Sequence, residues 1–110
     1  MTWIRVCAVE EVPAAGMRAF RVEGLAIPVL VADLGGGRFA ATSGICPHED
    51  VALEGGELQA GRVVCPGHAY EFDLVTGRCA HDASLQLRRF PVRVVGDEIH
   101  MRVDLLGVSG

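Results

Sequence analysis

The chain has 110 residues, half of them apolar and 22% charged, with fourteen acids against ten arginines and no lysine. That balance fits one globular domain over residues 1–110 with a real hydrophobic core, and a net charge of −4 without a basic run sets nucleic-acid binding aside. The longest apolar stretch, Leu25 to Ala32, is broken by Pro28 and too short to span a bilayer, and Arg5, Glu10 and Glu11 interrupt any export signal, so the expected location is the cytoplasm.

Short strands separated by Gly, Pro and Asp are expected along the chain. Met17 to Glu23 alternates, with Phe20 and Val22 on one face and Arg21 and Glu23 on the other. Leu25 to Val31 suits a buried strand, Pro28 arguing for an edge or a bulge. Gly35-Gly36-Gly37 predicts a turn into a strand from Arg38 to Thr42. Arg62 to Cys65 and Ala69 to Leu74 are further short strands, the second closing at Thr76-Gly77. Phe90 to Val95 and Glu98 to Val103 flank Gly96-Asp97, a hairpin signal, with Ile99, Met101 and Val103 toward the core and His100 and Arg102 toward water. No window carries three turns of helical periodicity. The expected fold class is all-β, a small antiparallel sandwich or barrel.

Two Pro- and Gly-rich loops between Ser43 and Ala69 interrupt this plan. The first reads Cys46-Pro47-His48 and the second Cys65-Pro66-Gly67-His68, that is C-x-H, sixteen residues, then C-x-x-H. Without an export signal, metal or redox chemistry is the expected use of these cysteines rather than disulfides. Two sulfurs and two nitrogens can hold one tetrahedral zinc. They can equally hold a [2Fe–2S] cluster with two Cys on one iron and two His on the other. Zinc fingers pair like with like on each knuckle, and C-x-H is a short bite for a single ion. One Cys and one His per loop instead lets each loop reach both irons, which favours the cluster.

The pattern resembles the Rieske family signature, and the likeness extends beyond the four ligands. Leu53, Gly56, Leu58, Gly61 and Val63 fall where Rieske ferredoxins place their inter-loop Leu, Gly and Val positions. Phe72-Asp73 with Thr76-Gly77 matches the strand and turn after the second loop, Phe90-Pro91-Val92 the aromatic-Pro-Val strand, and Trp3 to Val12 the opening strand. The resemblance implies a Rieske-like fold with a two-loop cluster-binding subdomain. It implies one [2Fe–2S] cluster per chain, with Cys46 and Cys65 on the inner iron and His48 and His68 on the outer, solvent-near one. Pro47 and Pro66 would stiffen the loops, and Gly67 would let backbone approach the cluster.

Respiratory Rieske proteins resemble C-T-H-L-G-C and C-P-C-H-G-S-x-Y. Here Val51 and Gly67 take the two positions of their disulfide, and Tyr70 and Phe72 those of their Ser and Tyr hydroxyls. Fewer donors to the cluster imply a potential toward the low end of the Rieske range, about −150 mV. That poise suits a carrier taking electrons from an NAD(P)H-dependent flavin reductase and passing them to a terminal oxygenase, with docking at the exposed His48/His68 edge. Beyond the four ligands only His81 and His100 remain, too few for the mononuclear-iron domain of Rieske oxygenases, so a non-enzymatic carrier is expected. The Pro-free stretch Arg78 to Arg89 resembles ferredoxins of diiron hydrocarbon monooxygenases. The ferredoxin of an aromatic ring-hydroxylating dioxygenase, the small subunit of an NADH-dependent nitrite reductase and a structural zinc module are the alternatives. Cys7 is expected as a small buried apolar residue, Cys79 as a loop bystander, and His81 and His100 on the surface. Glu49, Asp50, Glu54 and Glu57 form an acidic stretch that either solvates a face or steers a basic partner.

Overall fold

The computed structural model describes residues 2–67 and 69–103. Among them run ten strands: β1 (Thr2–Ala8), β2 (Met17–Phe20), β3 (Val29–Gly35), β4 (Arg38–Ser43), β5 (Glu57–Gln59), β6 (Arg62–Val64), β7 (Glu71–Asp73), β8 (Arg89–Phe90), β9 (Val92–Val95) and β10 (Glu98–Val103). They pair antiparallel in three sheets, ordered β1-β10-β9, β2-β3-β4-β8 and β5-β6-β7.

The four-stranded sheet is the middle layer because β3 is apolar on both faces. Val29 and Val31 point into a core shared with Ile99 and Met101 of β10. Leu30 and Ala32 point the other way, into a core with Leu53, Val63 and Phe72 beneath the small three-stranded sheet. One side of the middle sheet thus makes a sandwich with β1-β10-β9, and the other carries the subdomain that holds both Cys/His loops. A strand buried on both sides reads as a continuous apolar run rather than an alternation, which is why Val29 to Ala32 lacks a period, while Leu25 to Pro28 precede the strand and Ala26 is exposed.

Several boundaries differ from the sequence expectation. Pro28 marks neither an edge nor a bulge: it precedes β3, a central strand paired with β2 and β4, and its carbonyl accepts from Gly44 N–H at 2.8 Å. β2 stops at Phe20, where a turn closed by Leu25 N–H on the Val22 carbonyl (3.1 Å) takes over. The opening strand ends at Ala8, and Val9–Glu11 form a 3-10 turn. Pro91 splits the Phe90 to Val95 strand, so that Arg89–Phe90 pairs with β4 while Val92–Val95 pairs with β10. The hairpin at Gly96-Asp97 stands as expected, Gly96 taking φ 63° and Ile99 and Met101 lying fully buried. The short β5 and the 3-10 turn Leu53–Gly55 carried no sequence signal long enough to be seen.

Candidate metal centre

The two loops share one backbone design. In the first, Cys46 N–H donates to the Val51 carbonyl (2.9 Å) and Asp50 N–H to the Cys46 carbonyl (3.1 Å). In the second, Cys65 N–H donates to the Tyr70 carbonyl (2.8 Å) and Ala69 N–H to the Cys65 carbonyl (3.0 Å). Each loop therefore starts at a Cys, continues through a Pro with fixed φ, and closes on itself. The fourth residue after the Cys is left-handed in both, Asp50 at φ 48° and Ala69 at φ 59°. The bridge Ile45–Ala52 clamps the first loop, and the end of β6 leads into the second.

The closure brings both thiols inward. Cys46 and Cys65 are 0% and 1% exposed and pack in the same core as Leu53, Val63 and Phe72. Burial, with the neighbouring Cys65 thiol second, pushes the Cys46 thiol up to about 11, opposed by the backbone N–H groups of His48 and Glu49. The His48 N–H lies 3.4 Å from Cys46 Sγ. Such N–H groups stabilise a thiolate once a cation displaces the proton.

His48 turns its Nδ1 inward, where that atom is buried, and the side chain keeps about a quarter of its surface in water. One carboxylate oxygen, Glu49 Oε1, lies 4.0 Å from His48 Nδ1 and 4.0 Å from Cys65 Sγ, so the first loop's imidazole and the second loop's thiol converge on one small volume. A Cβ at Gly67 would fall on that same carboxylate, as expected of a glycine whose backbone lines the site. Cys46, His48 and Cys65 thus come together, and His68 lies outside the described residues. Two buried thiols, an inward imidazole nitrogen and backbone donors aimed at sulfur form a donor set that fits an iron–sulfur group.

Tyr70, expected at the position of a hydroxyl donor, contributes its ring to the site instead, and His81 lies on the surface as expected but stacks onto that ring. The Tyr70 ring stacks on His48 with centroids 4.0 Å apart and planes 19° apart. The exposed His81 ring stacks on the other side of Tyr70 at 5.3 Å and 20°. Cys79 is no loop bystander: it is 7% exposed and bridges Phe72 in a short antiparallel ladder that also carries Asp73 N–H to the Arg78 carbonyl (2.9 Å) and Ala80 N–H to the Glu71 carbonyl (2.8 Å). Cys7 is 1% exposed and raised to about 11 by burial. His100 lies half-buried, 3.1 Å from Glu98. The acidic stretch is not one face. Glu49 turns into the site, Glu54 accepts from Ala19 N–H of β2 (2.7 Å), and Glu57 accepts from Gln59 (2.7 Å), leaving Asp50 exposed among them.

Comparison with known proteins agrees with this geometry. The Rieske [2Fe-2S] domain matches residues 2–91. The ferredoxin component of the alkene monooxygenase system of Xanthobacter autotrophicus is 30% identical over 98% of this chain and 87% of its own length. Among solved structures, the ferredoxin of carbazole 1,9a-dioxygenase from Nocardioides aromaticivorans is 31% identical, covering 92% of this chain and 97% of that one with a TM-score of 0.80. A chain in the complex of reduced oxygenase and oxidised ferredoxin of carbazole 1,9a-dioxygenase is 30% identical, covering 90% of this chain and 91% of that one at a TM-score of 0.79. With two alike loops carrying the Cys/His pairs on a three-sheet all-β frame, the chain belongs to the Rieske [2Fe–2S] family, whose cofactor is a [2Fe–2S] cluster.

Proposed function

We propose that Cys46, His48, Cys65 and His68 hold the cluster and that the protein is a one-electron carrier, not itself an enzyme. In this reading it works in the cytoplasm between an NAD(P)H-dependent flavin reductase and a terminal oxygenase of the diiron hydrocarbon monooxygenase class. The observation that carries it is the matched pair of closed Cys-Pro loops, with both thiols buried and the His48 Nδ1 turned in beside them. When bound, the cluster supplies one reversible electron. The chain's part is to keep the thiols dry, to offer the His48 and Glu49 N–H groups toward sulfur, and to leave the His48 ring edge near water where a partner can approach. Among the described residues, no helix is long and apolar enough to cross a membrane.

The likeness to an alkene monooxygenase ferredoxin supports the monooxygenase partner. The likeness to a carbazole dioxygenase ferredoxin supports a second reading, in which the terminal oxygenase is a ring-hydroxylating dioxygenase. Turnover with purified oxygenases of the two classes separates them.

Cluster ligation is tested by iron and acid-labile sulfide analysis with visible and reduced-state EPR spectra. Two irons and two sulfides per chain are expected for a two-iron cluster, with colour lost in Cys46→Ser and Cys65→Ser. His48→Cys, where it still assembles, should lower the potential by adding a negative ligand. One zinc per chain without sulfide would refute the assignment.

A further inference from the structure

Three aromatic rings stack outward from the site. His48, Tyr70 and His81 lie in nearly parallel planes, at 4.0 and 5.3 Å between centroids, from the inward-turned imidazole to an exposed one. The segment that carries His81 is held at both ends. On one side Glu71 N–H donates to His81 Nδ1 (3.4 Å), beside the Ala80 N–H to Glu71 carbonyl bond. On the other, Asp82 closes a tight turn, accepting from Ser84 N–H at 2.9 Å and Ser84 Oγ at 2.6 Å. Tyr70 is fixed by its carbonyl bond from Cys65. An exposed ring that is already immobile loses little entropy when a partner covers it.

We propose that the His81 ring, backed by Tyr70 against His48, is the contact and electron outlet for an acceptor protein with a basic rim. The proposal rests on His48 being a cluster ligand. Asp82, the residue after His81, lies within electrostatic reach of His48, and Glu71, whose N–H meets His81, is paired with Arg62 at 3.4 Å, so the exposed end of the stack carries the Asp82 carboxylate, which complements a cationic rim. The bound cluster would supply one electron, which reduces the acceptor by one, and Tyr70 and His81 would neither gain nor lose a proton.

The test uses the purified, dithionite-reduced holoprotein and oxidised mitochondrial cytochrome c, a basic one-electron acceptor. Stopped-flow rates are read across ionic strength for wild type, His81→Ala and His81→Phe, together with the reduction potential and the EPR spectrum. His81→Ala should slow transfer by about tenfold, inside the span over which mutants of one interface vary in association rate. Its potential and EPR spectrum should match wild type. His81→Phe, which keeps a flat ring, should restore the rate to within about twofold, and the wild-type rate should fall as salt rises. An unchanged rate in His81→Ala would overturn the proposal. So would a potential or EPR shift accompanying the slower rate, since the residue would then act on the iron pair rather than on docking. A colourless wild-type protein would instead sink the cluster reading itself, and this proposal with it.

Discussion

Ala69 pays a backbone cost that glycine would not. Its φ of 59° lies in the left-handed region, where a Cβ crowds the following carbonyl, and the conformation is needed so that its N–H can return to Cys65. Ala69→Gly should therefore raise thermal stability by up to about 1 kcal/mol, the relief of the left-handed strain exceeding the extra chain entropy of glycine. The visible spectrum should not change. A loss of stability in thermal denaturation would show that the Ala69 methyl packs usefully instead. Cys7 carries a different single-residue signature. Its burial raises the thiol from 9.0 to about 11, and it lies in β1, in the core opposite the one that holds Cys46 and Cys65. A group raised on folding contributes stability that is whole below its unfolded value and lost as pH climbs through its folded value. Wild-type stability should then fall between about pH 9 and pH 11 relative to Cys7→Ala, so that any advantage of the wild type narrows over that window. Parallel denaturation curves for the two proteins at pH 8 and pH 11 would contradict this.

At the scale of elements, the junction between the loops depends on Gly56. It follows the 3-10 turn Leu53–Gly55 and immediately precedes β5, and a Cβ there would overlap the Val64 carbonyl and press on the Pro66 ring. Val64 and Pro66 flank Cys65, so the pressure falls on the second loop at its Cys. Gly56→Ala should cost about 1–3 kcal/mol, the usual range for overpacking, and should lower iron content and visible absorbance in the purified protein. Full iron occupancy in a destabilised variant would separate folding from assembly. The same junction shows which parts of the molecule were legible in the residues. The Cys-Pro loops and the Gly96-Asp97 hairpin were visible because each rests on residue types with few other uses. Pro28 misled because a proline before a strand and one at its edge look alike in sequence. The matched closure of the loops was invisible, since it is made by main-chain groups every residue has. The stacking of His81 on Tyr70 was invisible for a related reason: the surface position of His81 was legible, but it reaches Tyr70 through a ladder of Arg78–Ala80 on Glu71–Asp73, too short to leave a period.

Across the whole molecule, β3 couples the metal centre to the sandwich. Leu30 is 1% exposed in the core that contains Cys46 and Cys65, while its neighbours Val29 and Val31 lie in the core of β1 and β10. The loops accordingly cannot loosen at their base without disturbing the strand on which the opposite core is built. Leu30→Ala should cost about 2–5 kcal/mol, the range for truncating a buried leucine. Because the cavity opens in a shared strand, the loss should appear as one transition. Visible absorbance from the iron centre and far-UV circular dichroism from the sheets should shift to lower denaturant together, with superposable curves in wild type and variant. Bleaching that precedes the loss of dichroism in Leu30→Ala would mean that the two-loop subdomain opens as a separate unit, and that β3 supports both cores without linking them.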